Sequence, residues 1–403
     1  MVTGVRAIGY AYPWDFVGDP AAVDRVRALR LDAVAVAANY HAVRVGTPWH
    51  PRHRVVDAEH AACYVPVRPA KWRGRRLVPA TPGWVGEDSF GAARDALRAT
   101  GTDVLAWVVL THNSALGRDN QDLVMRDAFG TPHRHALCPA NEEVADYCAT
   151  LVAEIVPLGE PDGLVLEACG QFGIVHDGHH DKTGLAGWTT LQRQLLSICH
   201  CSGCQRRYRT AGLDPVKLAE RVRAAVSPNA LPDTDTDTDT DIDTDTATDI
   251  ETGTDIDTDP MFDAVAVIRA DIARQLRRRL VEEAPGLPVA VHASADPWAA
   301  GSFATIAGGI GAPVNTLVAR CWDDVDSGAA SLAALRSHAP DSTAIGAYLL
   351  ADHTWERPDK PVAPTIRRYL VAGMNELHLY HLGLVGEAGH RLMADLIESA
   401  NEV

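Results

Sequence analysis

The residue best placed to do chemistry in this sequence is a carboxylate at the end of a short apolar segment. Glu167 directly follows residues 163–166, Gly-Leu-Val-Leu, a run typical of a strand that is buried on both faces. In barrel enzymes the residue after such a strand lies at the C-terminal mouth, where catalytic groups gather. Hydrolysis of a glycosidic bond needs two flanking carboxyl groups, one acid and one base or nucleophile. Glu167 supplies one of them, and the candidates for the other, in order of preference, are Asp323, Asp352 and Asp15.

Polar and aromatic side chains follow the other strand-like segments, and in a barrel they would converge on the same mouth. Aromatic faces stack on the C–H surfaces of sugars, while acids and amides hydrogen-bond their hydroxyls, so the pattern predicts a carbohydrate site. The predicted substrate-binding residues are Tyr12, Trp14, Asp15, Asn39, His41, His112, Asn113, Gln171, His179, His180, His292, Trp322, His353 and His381. A polar residue at such a position can instead cap the next helix, the interpretation favoured for Asp324 and Asp326. The histidines His112, His292, His353 and His381 could equally be hydrogen-bonded barrel residues.

A histidine-rich segment after Glu167 offers a different chemistry. Its side chains could hold a metal ion or form a loop over a sugar site, and the second interpretation is favoured. The residues concerned are His176, His179, His180 and Asp181. Two alternative functions therefore remain open: a catalytically inactive carbohydrate-binding barrel, and a metal-dependent lyase, isomerase or hydrolase that uses this cluster.

The elements that must position these groups alternate between strand-like and amphipathic helical patterns. The predicted strands are 6–12, 33–38, 103–110, 163–166, 287–292, 315–320, 343–350 and 376–381. The predicted helices are 20–30, 89–100, 141–156, 215–225, 262–283, 364–372 and 387–401. Because the chain holds eight strand–helix units and lacks the Rossmann glycine fingerprint, the pattern predicts one (β/α)8 barrel domain over residues 1–403 and not an open sheet.

An acidic segment at 233–259 interrupts this alternation. It repeats Asp and Thr and holds eleven Asp and one Glu, which is twelve of the sixteen net negative charges. Neighbouring carboxylates repel, no apolar face exists and the EF-hand calcium pattern is missing, so we predict a disordered insertion. The remaining net charge, near −4, argues against a nucleic-acid partner.

The chain shows no secretory signal and no apolar run long enough to cross a bilayer, which predicts a cytoplasmic protein that does not enter the membrane. Its eight cysteines are therefore expected to be free thiols or metal ligands and not disulfides. No organic cofactor is predicted, and the oligomeric state is not indicated.

Three of the cysteines have the most specific spacing in the chain. Cys199, Cys201 and Cys204 lie within six residues, and such thiols are natural zinc ligands that lack only a fourth partner. Reduced structural thiols are the alternative interpretation.

Two segments resemble a family of retaining β-galactosidases. The segment from Cys138 to Tyr147 resembles that family's Cys-Pro-Asn-x-Pro-x-Tyr/Val-Arg segment, and Cys199 to Tyr208 resembles its Cys-Tyr-Cys-x-x-Cys motif with the basic helix that follows. In that family the upstream cysteine and the three clustered ones hold a structural zinc ion. The resemblance thus implies zinc ligation by Cys138, Cys199, Cys201 and Cys204, although His200 or Cys169 could replace Cys138.

The region from Cys138 to Cys204 is also similar to uncharacterised glycoside-hydrolase-like barrels of high-GC actinobacteria. Those barrels share Cys-Pro-x-x-Pro-Glu-Val, a helix, then Asp-Gly-Ile/Leu and a carboxylate after the strand. The β-galactosidases, however, place Asn before the acid/base Glu, where this chain has Leu166, and a Glu nucleophile after the seventh strand, where this chain has Asp352. The resemblance therefore implies glycoside hydrolase chemistry without β-galactosidase activity, and Glu167 could be the acid/base or the nucleophile.

Overall fold

Eight parallel strands close into a barrel in the computed structural model, which describes residues 4–174, 182–227, 259–352, 355 and 361–402. In chain order the strands are β1 (Arg6–Ala11), β2 (Ala33–Tyr40), β3 (Val43–Gly46), β4 (Val55–Ala58), β5 (Ala62–Cys63), β6 (Asp103–Val109), β7 (Val124–Arg126), β8 (Pro132–Leu137), β9 (Gly163–Glu167), β10 (Val289–Ser294), β11 (Ala304–Thr305), β12 (Thr316–Arg320), β13 (Ala344–Leu350) and β14 (Glu376–Tyr380). The barrel order is β1-β2-β6-β9-β10-β12-β13-β14, and pairing of β1 with β14 closes the ring. The predicted (β/α)8 barrel is confirmed.

Helices follow the barrel strands and cover their outer faces. They are α1 (Ala22–Leu29), α2 (Pro69–Trp72), α3 (Ser89–Arg98), α4 (Ser114–Asp119), α5 (Glu142–Gly159), α6 (Thr190–Leu196), α7 (Ser202–Thr210), α8 (Pro215–Ala225), α9 (Pro260–Glu282), α10 (Val325–His338), α11 (Val362–Val371) and α12 (Glu387–Asn401). Among the described helices, none combines the length and the apolar character that a membrane crossing requires.

The parallel register aligns the inward-facing residues of neighbouring strands. Trp107 of β6 lies opposite Val165 of β9, and Tyr348 of β13 lies opposite His378 of β14. Because successive side chains alternate between the faces of a strand, every second residue points into the barrel. Large polar and aromatic side chains, among them Trp107, Tyr348 and His378, therefore point into this barrel.

The structure contains elements beyond the predicted alternation. Residues 39–85 include the hairpin β3–β4, and the hairpin β7–β8 follows α4 before α5 begins. Asp324 caps α10 by accepting the backbone N–H of Ser327 at 2.9 Å, in agreement with the capping interpretation. Asp259, the last residue of the acidic segment, caps α9, and α9 begins at Pro260 and not at Phe262. Residues 228–258, and with them the rest of that segment, lie outside the described residues.

Candidate active site at the barrel mouth

Glu167 is the last residue of β9, and only 6% of its surface is exposed. Its Oε2 accepts a hydrogen bond of 2.8 Å from the indole Nε1 of Trp107, Ser302 donates another, and Nδ1 of His292 lies 3.5 Å from the same oxygen. Burial raises the pKa of Glu167 to about 7, although the hydrogen bonds from Trp107 and Ser302 act to lower it. A carboxyl group with that pKa is partly protonated near neutral pH, so it can serve as a general acid or a general base.

The backbone after Glu167 turns sharply. Ala168 has φ of 57°, a left-handed conformation that disfavours residues with a Cβ atom by roughly 1–2 kcal/mol. Two hydrogen bonds hold it: the N–H of Ala168 donates to the carbonyl of Ser302 at 3.0 Å, and the Thr111 hydroxyl donates to the carbonyl of Ala168 at 2.9 Å. The turn thus fixes the Glu167 backbone against two neighbouring loops, which is consistent with local strain at a functional position.

A buried polar chain continues from His292 into the barrel. Nε2 of His292 lies 2.9 Å from the hydroxyl of Tyr10, which lies 2.9 Å from Nδ1 of His378. Nε2 of His378 in turn lies 3.1 Å from Oε2 of Glu376. The sequence-based site prediction included His292 but missed Tyr10, His378 and Glu376. Since Glu376 and His378 are two residues apart in one strand, their shared inward face was readable from the strand period.

Aromatic rings pack around Glu167 at the mouth. Burial, with the charge of Glu167 as a smaller contribution, raises the pKa of Tyr10, Tyr40, Tyr348 and Tyr380. Trp322 is half-buried and stacks on Tyr348 with ring centroids 5.5 Å apart. The mouth therefore places neutral hydroxyls and ring faces beside the titratable carboxyl group of Glu167, an arrangement suited to sugars.

The preferred second carboxylate, Asp323, lies at the rim. Its side chain is 43% exposed and pairs with the guanidinium of Arg320 at 3.0 Å. Arg320 also lies over the ring of Trp322, with its Cζ 5.8 Å from the ring centroid. Asp352 is half-buried just after β13, where its carbonyl accepts the backbone N–H of Trp355 at 3.3 Å.

Asp15 lies between the end of β1 and the helix α1. Its Oδ2 accepts the backbone N–H of Tyr12 at 2.8 Å, and its carboxyl group lines a small cavity with Arg25 of α1. Burial raises the pKa of Asp15 to about 7, although the Tyr12 hydrogen bond and the charge of Arg25 oppose the rise. Burial also lowers the pKa of His381 to about 3, and its Nδ1 accepts the N–H of Gly383 at 3.2 Å. The 3.9 Å separation between His381 and Asp15 is therefore not an ion pair at neutral pH.

The other predicted substrate-binding residues divide between ring contacts and structural hydrogen bonds. Trp14 stacks on Tyr12 at 4.4 Å, and His41 stacks on His112 at 4.3 Å. The Asn39 amide donates to the carbonyl of Val109 at 2.6 Å, and Oδ1 of Asn113 caps α4 by accepting the N–H of Leu116 at 2.9 Å. The predicted residues His176, His179, His180, Asp181 and His353 lie outside the described residues.

Four buried cysteines form a compact cluster beside the barrel. The Sγ atoms of Cys138, Cys199, Cys201 and Cys204 all lie within 4.8 Å of one another. Sγ of Cys138 is 3.6 Å from that of Cys204 and 3.7 Å from that of Cys199, close to the ~3.8 Å between sulfurs bound tetrahedrally at Zn–S distances of ~2.3 Å. The donor set and spacing fit a structural metal ion, and Cys138 completes the group in place of His200 or Cys169.

Side-chain amides surround this cysteine cluster. Nε2 of Gln171 donates to Sγ of Cys204 at 3.0 Å, and Nδ2 of Asn141 lies 3.6 Å from Sγ of Cys201. Gln171 was predicted to bind substrate, but its amide instead faces the sulfurs. Such amide donors stabilise thiolates and orient metal ligands.

Comparison with known proteins agrees with this architecture at the level of the fold. The structure is similar to the catalytic domain of a β-amylase from Paenibacillus polymyxa (TM-score 0.56, 11% identity, 99% of each chain covered) and to the PgaB (BpsB) glycoside hydrolase domain from Bordetella bronchiseptica (0.55, 13%, 98% of this chain and 99% of that one). It also resembles α-L-fucosidase isoenzyme 2 from Paenibacillus thiaminolyticus (0.52, 14%), covering 98% of this chain but 49% of the fucosidase, so the chain spans about half of that enzyme's length. No protein-family model and no curated protein matches the sequence. The fold is thus one that glycoside hydrolases use.

Proposed function

We propose that the protein is a glycoside hydrolase in which Glu167 is one of two catalytic carboxyl groups. The observation that supports this most is the buried carboxyl group of Glu167, with a pKa of about 7, at the aromatic mouth of a barrel similar to those of glycoside hydrolases. Acid catalysis of glycosidic cleavage requires a carboxyl group that is still protonated near neutral pH. The aromatic rings and hydroxyls of the mouth support a carbohydrate as substrate.

We propose Asp352 as the second carboxyl group and keep Asp323 as the alternative. Asp352 follows β13, which lies three places from β9 in the barrel order β9-β10-β12-β13, so the two groups can approach a bound sugar from different sides. Asp323 is less suited because its charge is already paired with Arg320 and solvent reaches it, which favours a role at the rim of the site.

We further propose that the cysteine cluster holds a structural zinc ion. A set of four cysteine ligands is typical of closed, non-catalytic zinc sites. Zinc would join the segment at Cys138 to the segment from Cys199 to Cys204, on either side of the Glu167 strand. The protein is proposed to work in the cytoplasm, and its eight cysteines, all buried and unpaired by disulfides, support a reducing compartment.

The experiment is hydrolysis of aryl α- and β-glycosides, pyranosides and furanosides, by the wild type and by Glu167→Gln, Asp352→Asn and Asp323→Asn. Loss of a catalytic carboxyl group should lower kcat by about 10²–10⁴-fold, whereas Asp323→Asn should change KM more than kcat. An acid variant should keep more activity on a dinitrophenyl glycoside than on a nitrophenyl one, because a good leaving group needs no proton. A nucleophile variant should lose both.

The melting temperatures of the variants must match that of the wild type, so that a folding defect is not read as a catalytic one. Sugar binding without turnover of any substrate would refute the hydrolase and favour the inactive carbohydrate-binding barrel. Turnover that chelators abolish and that histidine, but not cysteine, variants remove would favour the metal-dependent alternative.

A further inference from the structure

The polar chain inside the barrel joins its two ends. It begins at Arg6, the first residue of β1, whose guanidinium lies 3.7 Å from Glu376, the first residue of β14. From Glu376 it runs through His378, Tyr10 and His292, with separations of 3.1, 2.9 and 2.9 Å, and ends 3.5 Å from Glu167 at the mouth. Arg6 is 36% exposed, while both histidine side chains are completely buried. The chain thus connects a solvent-facing charge with the candidate catalytic carboxyl group.

The middle of the chain consists of groups that each carry a single mobile proton. Burial raises the pKa of Tyr10 far above its ordinary value, helped by the charges of Glu167 and Glu376, so its hydroxyl stays protonated. Burial, followed by repulsion from His378, lowers the pKa of His292, so its ring stays neutral. A neutral imidazole has one N–H and one acceptor nitrogen. Tyr10 therefore donates to one histidine and accepts from the other.

Glu376 sets the direction of the hydrogen bonds at the inner end of the chain. Its burial favours the neutral acid, but the hydrogen bond and charge of His378, together with the charge of Arg6, lower its pKa overall. A carboxylate can only accept hydrogen bonds, so Nε2 of His378 must carry a proton toward Glu376. The state of Nδ1 of His378 then decides the direction of every bond beyond it.

Nδ1 of His292 is buried and makes no hydrogen bond to the described residues, and it lies 3.5 Å from Oε2 of Glu167. Two arrangements satisfy the hydrogen bonds of the chain once Glu167 closes this gap. In the first, His378 is neutral, Tyr10 donates to its Nδ1, Nε2–H of His292 donates to Tyr10, and Nδ1 of His292 accepts from protonated Glu167. In the second, His378 is an imidazolium that donates to Tyr10, Tyr10 donates to Nε2 of His292, and Nδ1–H of His292 donates to the Glu167 carboxylate. They differ by one proton moved along each of three bonds: from Glu167 to His292, from His292 to Tyr10, and from Tyr10 to His378. Atoms and charge balance without any other reactant.

We propose that this chain is a proton relay that couples the protonation of Glu167 to that of His378. Tyr10 and His292 carry the proton between them, and Glu376 is a positioning residue. The proposal rests on the proposed function only for its purpose: because the same proton lies either on Glu167 or on His378, the relay sets how much of Glu167 is protonated and able to give its proton to a leaving group. The loosest link, 3.5 Å between His292 and Glu167, lies where movement of the Glu167 side chain would open or close it.

The described neighbours of the two end groups come from several barrel strands and the loop that carries Ser302. Glu167 contacts Trp107 of β6, Ser302 and His292 of β10. His378 faces Tyr10 of β1, Glu376 on its own strand and Gly346 of β13. A Cβ atom at Gly346 would lie 2.7 Å from Cδ2 of His378, so the glycine makes room for the ring in its hydrogen-bonding position.

The test monitors the protonation of Glu167 and of His378, the two ends of the relay, in the absence of any substrate. With ¹³C-labelled glutamate, the infrared band of the protonated Glu167 carboxyl is the one lost in Glu167→Gln. With ¹⁵N-labelled histidine, the ring nitrogen signals of His378 are those lost in His378→Gln. Because the two ends share one proton, its loss from the chain at higher pH changes both groups, so we expect the His378 signals to shift over the same pH range as the Glu167 band in the wild type. In Glu167→Gln they should no longer shift in that range.

Tyr10→Phe removes the hydroxyl group that links His292 to His378 and keeps the aromatic ring. His292 is then free to place its proton on Nδ1 and donate to the carboxylate, so the titration midpoint of Glu167 should fall by about one pH unit, the worth of a hydrogen bond to a charged group. The signals of His378 should no longer follow Glu167. Tyr369→Phe is the matched control, because it removes another buried hydroxyl, one that lies on α11 away from the chain.

His378 signals that stay constant while Glu167 titrates in the wild type would overturn the relay. So would a Tyr10→Phe variant that titrates like Tyr369→Phe. If Tyr10→Phe does not fold, Glu376→Gln serves in its place. The glutamine amide can donate to Nε2 of His378, so this nitrogen no longer has to carry a proton. The direction of the other hydrogen bonds in the chain is then no longer fixed. Since none of these measurements uses a substrate, a protein that shows coupling but no hydrolysis refutes the proposed function alone, and hydrolysis without coupling refutes the relay alone.

Discussion

The indole Nε1 of Trp107 donates its proton to Oε2 of Glu167 over 2.8 Å, and this bond opposes the effect of burial on the carboxyl group. Burial raises the pKa of Glu167, and the Trp107 hydrogen bond is the larger of the two contacts that lower it. The balance between them holds the pKa near neutrality. Trp107 therefore sets the pH range in which Glu167 could work.

Trp107→Phe should raise the pKa of Glu167 above about 7, because the carboxylate loses a donor while the burial remains. A hydrogen bond to a charged group corresponds to about one pH unit. The infrared titration of the Glu167 band measures the change directly. An unchanged midpoint would mean that water or another donor replaces the indole.

Stability should depend on pH through the same carboxyl group. Glu167 has a folded pKa of about 7 against an ordinary value of 4.5, so its contribution to stability is fully present below pH 4.5 and is lost as the pH rises through 7. This shift corresponds to about 3 kcal/mol. Glu167→Gln should thus raise the free energy of unfolding relative to wild type at pH 8 and change it much less at pH 4.

Urea unfolding of the wild type and Glu167→Gln between pH 4 and pH 8 checks this. The control is Glu282→Gln, which replaces a glutamate that is 65% exposed on α9 and should leave the pH dependence of wild type intact. A Glu167→Gln curve parallel to that of the wild type would show that Glu167 ionises in the folded protein as easily as in the unfolded chain.

Zinc binding should depend on the cysteine cluster and on Gln171. The purified protein should contain about one zinc ion per chain, and Cys204→Ser should lose it because a hydroxyl is a poor replacement for a thiolate. Gln171→Leu should keep the four sulfurs but weaken zinc binding by about 10–100-fold, since its amide donates to Sγ of Cys204 at 3.0 Å.

Elemental analysis by mass spectrometry and release of zinc to a chromogenic chelator give the metal content and the affinity. Cys63→Ser is the matched control, because Cys63 is a buried free cysteine outside the cluster, and it should keep the metal even if packing suffers. A metal-free wild type purified in the presence of zinc would favour reduced structural thiols.

The eight barrel strands were predictable from the sequence because a strand covered on both faces is a continuous apolar run. The hairpins β3–β4 and β7–β8 and the helix α4 were missed because they are short and lie in loops whose structure depends on tertiary contacts. The contacts of Tyr10 with His292 and His378 could not be predicted from the sequence. Tyr10 and His292 are 282 residues apart and Tyr10 and His378 are 368 apart, and only the closure of the barrel brings them together.

The sequence was a weak guide to which polar residues line the mouth, because this too depends on contacts that form only in the folded barrel. The rule that polar groups after strands converge does not say which way each side chain turns. Gln171 turns toward the sulfurs, Asn113 caps a helix, and Asp323 pairs with Arg320. Glu167 and His292, by contrast, belong to strands, and the strand period fixes their inward direction.

A buried arginine on α9 should be essential to the loop that brings Ser302 to Glu167. Arg277 is fully buried, and its guanidinium donates to the carbonyls of Thr305, Gly309 and Ile310 at 2.8, 3.0 and 3.0 Å. Arg277→Met keeps much of the side-chain volume but leaves these carbonyls without donors. Because each buried unsatisfied group costs about 1–3 kcal/mol, the free energy of unfolding should fall by about 3–5 kcal/mol.

Arg278→Met is the matched control, since the neighbouring arginine is 56% exposed and its loss should change stability by no more than about 0.5 kcal/mol. Arg277→Met should also raise the pKa of Glu167, because the loop that carries Ser302 loses its anchor and the Ser302 hydrogen bond lowers that pKa. A variant that is destabilised but titrates like the wild type would show that the backbone bond between Ala168 and Ser302 holds the loop in place without the arginine. A variant as stable as Arg278→Met would show that the three carbonyls find other donors.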